Sequence, residues 1–164
     1  MKEILLSQQG KNKDKYVALV DDEDYERLNQ FRWCANFQHN SRYAVRTVCV
    51  NGKKNNITMH REILGDNGDL FIDHRDNDSL NCQKYNMRHC TLQQNLMNQR
   101  PKKHGNSIYK GVSWNKSHGV FVAKIIINGK NTYVKQSSNE IEAAKAYDEA
   151  AKIQFGEFAY LNFP

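Results

Sequence analysis

The sequence predicts an α+β protein made of two small domains. Two stretches, Tyr43–Val50 and Val120–Ile127, have the period of two that is typical of strands. Each is followed by an Asn-Gly pair, the strongest short signal for a hairpin. A short basic stretch with a proline, residues 101–106, separates the two regions and is predicted to be a linker. The 164 residues suffice for one ordinary domain or two small ones.

The leader of the first domain, residues 1–58, is predicted to be rich in strands. Ile4–Leu6 and Tyr16–Val20 are apolar runs separated by a polar loop. Asp21–Asp24 places acids in the first turn of a helix, where the helix dipole favours them. The helical spacing that follows predicts an end near Trp33. We expect these acids to lie in solvent and to form no site.

A second strand pair and a short helix complete the leader. After the hairpin turn at Asn51-Gly52, the returning strand is predicted at Asn56–Met59. His60 and Arg61 then open a short helix. We expect His60 to be a structural histidine and Arg61 to contact a phosphate.

The centre of the first domain is the stretch from Phe71 to Asn98. It begins with a short apolar run, continues through a polar loop into a second short segment, and becomes helical after Thr91, which suits an N-cap. Strand, loop, strand and helix in this order bring four polar residues toward one point. They are Asp73, His74, Asn86 and Asn95.

These residues lie in a pattern that resembles a known nuclease motif. The segments IDHRDND, LNCQKYNMR and TLQQN look like the HNH motif, the ββα-metal finger of many phage-encoded endonucleases. The resemblance covers a finger at about residues 59–100 and, with the leader, a first domain at residues 1–100. It implies that Asp73 and Asn95 hold one divalent cation, that His74 is the general base, and that Asn86 orients its imidazole.

The chemistry of phosphodiester hydrolysis explains these residue types. A phosphodiester is anionic, so a hard cation with oxygen ligands must neutralise the charge that develops on it. A carboxylate and an amide oxygen suit Mg²⁺, with Mn²⁺ as the alternative. An imidazole with an ordinary pKa near 6.5 can deprotonate water at neutral pH. Asp76 and Asp78 suggest a calcium loop instead, but the glycine turn and distal glutamate of such a loop are absent.

Cysteine usage and hydropathy exclude several other classes. The four cysteines form no CxxC pair, so we expect no structural zinc, and reduced thiols in the cytoplasm are the simpler account. Cys82 and Cys90, which flank the predicted site, are expected to pack in the core. No apolar run is long enough for a membrane span, and the first residues lack the features of a signal peptide. We expect a cytoplasmic protein of a bacterial host, encoded by a phage or a mobile element.

The distribution of charge favours a nucleic-acid partner. The net charge is +6, and no Asp or Glu occurs between Ser79 and Asn139. A long block of positive sign is what phosphate binding by counterion release requires. The basic residues of the first domain and linker that we expect to contact DNA are Arg61, Arg88, Arg100, Lys102 and Lys103.

The last segment, residues 107–164, predicts a small sheet with one helix. After the alternating strand, Asn128-Gly129 supplies a turn to a strand at Asn131–Lys135. Asn139 with Glu142 forms a capping box for an alanine-rich helix. Tyr147 and Phe155 are expected to complete the core.

This segment resembles a second known family. YKGVSW, GVFVAKI, AYDEAA and the closing LNFP look like the plant Apetala/ethylene-response-factor DNA-binding domain. The resemblance implies a three-stranded antiparallel sheet packed on one helix, with the sheet in the DNA major groove. The residues that would then face the groove are Lys110, Ser113, Trp114, Asn115, Lys124, Asn131, Tyr133 and Lys135.

The segment also departs from the plant pattern. Positions that usually carry arginine hold other residues, namely Lys110, Ser113, Asn115, Ile126 and Asn131. Arginine recognises guanine through its bidentate fork, so we expect a different sequence preference. Lys135 stands where a glycine is usual and is better placed for a phosphate than for a base.

Together these patterns predict a site-preferring, metal-dependent DNA endonuclease of the HNH homing type. One finger in a monomer would cut one strand of double-stranded DNA, so we expect nicking. The alternative is a non-catalytic DNA-binding regulator with a vestigial finger. RNA binding is a weaker option because only Trp114 and Tyr133 offer aromatic stacking on the sheet.

Overall fold

The chain is mixed α/β, with several small sheets in two compact units. The computed structural model describes residues 1–7, 15–38, 41–101 and 105–164. The units are Met1–Leu92 and Gln93–Pro164. The division lies before the predicted linker at 101–106, of which residues 102–104 lie outside the described residues.

The first unit contains seven strands and two helices among its described residues. In chain order they are β1 (Lys2–Leu6), β2 (Tyr16–Val20), α1 (Asp22–Asn29), β3 (Cys34–Gln38), β4 (Ser41–Val50), β5 (Lys53–Thr58), α2 (Met59–Leu64), β6 (Phe71–His74) and β7 (Met87–Cys90). They form a β1-β2 hairpin, a β3-β4-β5 sheet and a β6-β7 hairpin, all antiparallel.

The predicted hairpin at Asn51-Gly52 is confirmed, and it joins β4 to β5. Both residues have positive φ, 51° and 73°, as this turn requires. The returning strand begins at Lys53, earlier than predicted. Strand β3 was not predicted, because its sequence CANFQ has no clear alternation and its strand form depends on pairing with β4.

The core of the first unit is built on the β1-β2 hairpin and Trp33. Leu6, Val20 and Leu28 have no exposed surface. Helix α1 ends at Asn29 rather than near Trp33, because Trp33 turns back and donates its indole N–H to the Leu28 carbonyl at 2.9 Å. Trp33 thus belongs to the core.

The edge of β2 is tied to the segment before β7. The Leu19 N–H donates to Leu80 O at 2.9 Å, and the Cys82 N–H donates to Leu19 O at 2.8 Å. The Asp21 carboxylate accepts from Gln83 Nε2 at 3.1 Å and from the Lys84 N–H at 2.8 Å. These bonds make the leader part of the support for the finger.

The acids at the start of α1 are not all in solvent, contrary to expectation. Asp24 is only 5% exposed. Its carboxylate pairs with Arg27 at 2.6 Å and with Lys84 at 3.2 Å. Burial alone would raise the pKa of Asp24, but hydrogen bonds from these two cations lower it below its ordinary value.

The second unit contains a sheet and two helices among its described residues. They are α3 (Leu92–Asn98, beginning at the division), β8 (Val112–Asn115), β9 (Val120–Ile127), β10 (Lys130–Ser137) and α4 (Glu140–Phe155). The three strands are antiparallel with β9 in the centre, and α4 packs on one face. The core joins Ala123 and Ile125 of β9 to Ala143, Ala144 and Tyr147 of α4.

The cap of α4 differs in one detail from the predicted capping box. Asn139 Oδ1 accepts from the Ile141 N–H at 2.9 Å, as a cap residue should. Glu142 accepts instead from the Ser137 hydroxyl at 2.8 Å, and the Asn139 N–H donates to the same hydroxyl oxygen at 3.0 Å. Ser137 thus stands between the two residues of the box.

The closing LNFP segment is fastened to α4 by Asp148. This carboxylate, 4% exposed, accepts from the backbone N–H groups of Asn162 and Phe163, each at 2.9 Å. Asn162 in turn accepts from the Lys110 N–H at 2.7 Å and donates to Lys110 O at 3.2 Å. The AYDEAA and LNFP segments therefore close the domain by hydrogen bonding.

Candidate functional site

Asp73 and His74 lie at the end of β6, buried inside the first unit. They are 4% and 7% exposed. In the hairpin register Asp73 lies opposite Arg88 and His74 opposite Met87. The Arg88 guanidinium donates to Asp73 Oδ2 from Nε at 2.8 Å and lies 2.7 Å from it at Nη2. Arg88 thereby fixes the orientation of the carboxylate.

This ion pair changes the interpretation of Arg88. Arg88 is among the predicted DNA contacts, whereas its side chain is only 8% exposed and its guanidinium is turned inward to Asp73. The sign of a charge does not reveal its direction, and the β6-β7 register decides it here. A buried ion pair of this kind is costly to break, because the remaining partner keeps an uncompensated charge.

Asn86 holds the loop that follows His74. It lies in a 3₁₀ turn before β7 and is 2% exposed. Its amide donates to Asp76 Oδ1 and to Asn81 O, both at 2.9 Å, and its Oδ1 accepts from the Asp76 N–H at 3.1 Å. Its backbone oxygen accepts from the Arg75 N–H at 2.8 Å. Asn86 therefore fixes the chain next to His74, and the predicted contact with the imidazole itself stays a prediction.

The aspartates of this loop bind the loop itself. Asp76 accepts from the Asp78 N–H at 2.8 Å and from Asn81 Nδ2 at 2.7 Å. Asp78 accepts from the Leu80 N–H at 3.0 Å. These carboxylates shape the turn, a role that sequence spacing did not indicate.

The imidazole of His74 lies among aromatic rings and carboxylates. The ring of His60 is 5.5 Å away at 89°, and that of Tyr43 is 6.5 Å away. Burial lowers the pKa of His74, while the negative charges of nearby Asp76, Asp73 and Asp78 oppose this effect. The net direction favours the neutral imidazole, which is the form of a base.

His60, predicted to be structural, is indeed buried, but it lies directly against His74. Its Nε2 lies 3.2 Å from the Thr58 hydroxyl. Burial, aided by repulsion from His74 and Arg61, lowers the pKa of His60 to about 3. Helix α2, which carries it, is held to β4 by a bidentate pair between Arg46 and Glu62 at 2.8 and 3.1 Å. No sequence pattern indicates the Tyr43–His60–His74 contact, because it depends on tertiary packing.

Three of the four predicted nuclease residues belong to the first unit, namely Asp73, His74 and Asn86. Asn95 lies half-buried on α3 in the second unit. Its approach to Asp73 stays a prediction.

The predicted DNA contacts outside the sheet have different environments. Arg61 pairs with Asp66. Arg100 is exposed. Lys102 and Lys103 lie outside the described residues. Lys110 donates its ammonium to the carbonyls of Leu96, at 3.3 Å, and Met97 at the end of α3, so this cation serves an internal contact of the second unit.

The sheet of the second unit has an open face opposite α4, here called the outer face. Its register places five predicted contacts there, namely Ser113, Asn115, Lys124, Asn131 and Tyr133. Trp114 lies at the edge, 36% exposed, against Phe121. Lys135 is exposed but pairs with Ala123, whose side chain faces the core.

Two hollows mark the outer face. One, of about 470 Å³, is lined by polar and aromatic side chains that include Trp114, Lys124 and Tyr133. A larger cleft of about 660 Å³ is lined by Leu96 and Met97 of α3 and, on the sheet, by residues that include Ile126 and Asn131. The outer face therefore has hydrogen-bonding side chains around Lys124 and apolar side chains around Ile126.

A curated protein is similar to part of this chain. It is a protein of Acanthamoeba polyphaga mimivirus named as an uncharacterized HNH endonuclease, 36% identical over 94 residues. The match takes in 57% of this chain but spans only 48% of the relative's length. No family model matches the chain.

The similarity does not support the resemblance of residues 107–164 to the plant domain, which stays a prediction. None of the helices that the structure describes has the length and hydropathy of a membrane span.

A metal ion beside His74 stays a prediction. Among the described residues, no three His, Cys, Asp or Glu side chains converge on a metal position. A cation at Asp73 would thus take its other ligands from an amide, water and phosphate, which is the usual pattern for Mg²⁺. Three carboxylates raise the negative field there, and Arg88 partly offsets it.

Proposed function

We propose that this protein is a metal-dependent DNA endonuclease of the HNH type that prefers particular sites and nicks one strand. The observation that carries the proposal is the buried Asp73-His74 pair, followed by a loop that Asn86 pins with three side-chain hydrogen bonds. The similarity to a mimiviral HNH endonuclease supports the same conclusion.

In the proposed reaction His74 takes a proton from water. The water oxygen bonds to phosphorus, and the bond from phosphorus to the 3′ oxygen breaks with its electron pair on that oxygen. The products are a 5′-phosphate and, after protonation by solvent, a 3′-hydroxyl. Burial keeps the pKa of His74 below its ordinary value, so the imidazole is ready to accept the proton at neutral pH.

Asp73 and Asn95 would hold the cation, most simply Mg²⁺. When bound, it supplies the positive charge that a phosphodiester needs as negative charge develops on it. Arg88 contributes by fixing the Asp73 carboxylate, and Asn86 by fixing the turn after His74.

The second unit would place the duplex. Its outer face carries no carboxylate, because the chain has no Asp or Glu between Ser79 and Asn139. Lys124 and the amides and hydroxyls around it are suited to phosphates and base edges. Arg100 and the basic linker would add phosphate contacts.

The test is a nicking assay on supercoiled plasmid, with Mg²⁺ and with EDTA. We expect metal-dependent conversion to open circles and a loss of at least about a hundredfold in His74→Ala, since general-base catalysis contributes about 10²–10⁴. DNA affinity measured in EDTA should not change. His118→Ala, which removes an exposed imidazole from the turn between β8 and β9, is the matched control.

Equal cutting by wild type and His74→Ala would remove the proposed base. DNA binding without metal-dependent cutting would favour the alternative, a regulator that binds DNA without cleaving it.

A further inference from the structure

Ile126 is an apolar residue in an unusual position on the outer face. Its neighbour in β9, Ile125, is 2% exposed in the core, whereas Ile126 is 58% exposed. Directly opposite in the β9-β10 register lies Asn131. An aliphatic side chain and an amide therefore stand side by side on the surface proposed to face DNA.

The neighbours of this pair are polar in one direction and apolar in another. Lys124 lies on the same face of β9 as Ile126, and Tyr133 lies opposite Lys124 on β10. Leu96, which is 49% exposed, lines the same cleft as Ile126. The pair thus lies where a polar, cationic surface meets an apolar one.

The major groove offers partners for both side chains. Its apolar feature is the C5-methyl group of thymine, and adenine offers N6 and N7 to the amide of asparagine. Side chains directly opposite on antiparallel strands have Cβ atoms about 4.5–5.5 Å apart. Successive bases rise by about 3.4 Å, so two such side chains reach the same or adjacent base pairs. Neither side chain can make the bidentate contact of arginine with guanine.

We propose that Ile126 and Asn131 form a recognition pair for A·T base pairs. Ile126 contacts the thymine methyl group, and Asn131 bonds the edge of an adenine in the same or the next pair. The inference rests on the DNA-binding part of the proposed function and is independent of cleavage.

The test uses the full chain in EDTA, so that DNA is not cut. A randomised duplex pool is first enriched for binding, and the enriched duplex is then resynthesised with uracil in place of thymine, one position at a time. Uracil lacks only the methyl group. We expect about fourfold weaker binding at one or two positions, the fold-change equivalent to about 0.8 kcal/mol for one buried methyl-sized group.

Two variants assign the effect to the pair. Ile126→Ala should bind thymine and uracil duplexes equally, and Asn131→Ala should lose the preference for adenine at the same or the adjacent pair. Ile153→Ala, which truncates an 80% exposed isoleucine on α4, should keep both preferences. Circular dichroism checks that the three variants remain folded.

Several outcomes would overturn the inference. An enriched site made only of G·C pairs, equal affinity of wild type for thymine and uracil duplexes, or discrimination that persists in Ile126→Ala would each do so. Absence of any DNA binding would also contradict the DNA-binding part of the proposed function. A thymine preference without metal-dependent cutting would leave the inference standing and remove the nuclease.

Discussion

The loop after His74 and the outer face of the second unit are both rich in polar side chains, but they use them in opposite ways. In the loop, Asn86 and Asp76 are bonded to the protein itself, and Asp73 is paired with Arg88. On the outer face, Lys124 and Asn131 are exposed. Catalysis needs groups that are fixed before substrate arrives, whereas recognition needs groups that remain available to the partner.

The largest expected difference between the two regions comes from Arg88→Met. It takes the Arg88 guanidinium away from the buried Asp73 carboxylate, so the free energy of unfolding should fall by about 3–5 kcal/mol. Lys124→Met, which removes an exposed cation from the outer face, should change it by less than about 0.5 kcal/mol. Urea denaturation measures both. An unchanged stability in Arg88→Met, with weaker DNA binding, would restore Arg88 as a surface phosphate contact.

Asn86→Ala should have the next largest effect. It removes three hydrogen bonds, of which the one to the Asn81 carbonyl is buried, at a cost of about 2–3 kcal/mol. Tyr133→Ala on the outer face is the control, with little change in stability. Nicking should also fall in Asn86→Ala under conditions where the protein is still folded. A variant as stable and active as wild type would show that the loop needs no such anchor.

His60 should make stability depend on pH. The unfolded chain binds a proton at this residue with a pKa near 6.5, whereas burial lowers the pKa in the folded state to about 3. The unfolded state therefore binds more protons between these values, and stability is lost as the pH falls below 6.5, by about 1.4 kcal/mol per unit.

Comparison of urea denaturation at pH 7.5 and pH 5 tests this expectation. His60→Gln should lose less stability than wild type over that interval, and His118→Gln, at an exposed site, should behave like wild type. Identical pH dependence in wild type and His60→Gln would contradict the assignment.

The smallest expected effect is that of Lys110→Met, which tests whether Lys110 belongs to the internal contacts or to the DNA-binding surface. Lys110 was predicted to contact DNA, yet its ammonium caps the carbonyls of Leu96 and Met97. Lys110→Met should cost about 0.5–1 kcal/mol of stability and leave the salt dependence of DNA binding unchanged. Lys124→Met should do the reverse and reduce the slope of log affinity against log salt by about 1. A reduced slope for Lys110→Met would return it to the DNA surface.

Patterns in a few neighbouring residues correctly predicted the strands and turns that depend mainly on those residues. The strand at Val120–Ile127 has the predicted bounds, and both Asn-Gly turns have the expected positive φ. The end of α1 was wrong, because a tertiary contact of Trp33 sets it. Strand β3 was missed for a similar reason, since its partner β4 defines it.

The candidate site was predicted less completely than the strands. The motif gave the positions of Asp73 and His74, but not what surrounds them. The inward direction of Arg88, the bonds of Asn86 to its loop and the rings of Tyr43 and His60 all depend on how separate segments meet. A sequence shows which polar side chains are present. It does not show which of them form their hydrogen bonds and ion pairs within the protein.

The bonds between the β2 edge and the segment before β7 bear on any attempt to transplant the finger. A fragment that starts at about residue 59 would lose Leu19 and Asp21, and with them four hydrogen bonds to Leu80, Cys82, Gln83 and Lys84. A chimaera should therefore carry the β1-β2 hairpin together with the finger. The smallest segment that could be transplanted intact is therefore larger than the motif that contains Asp73 and His74.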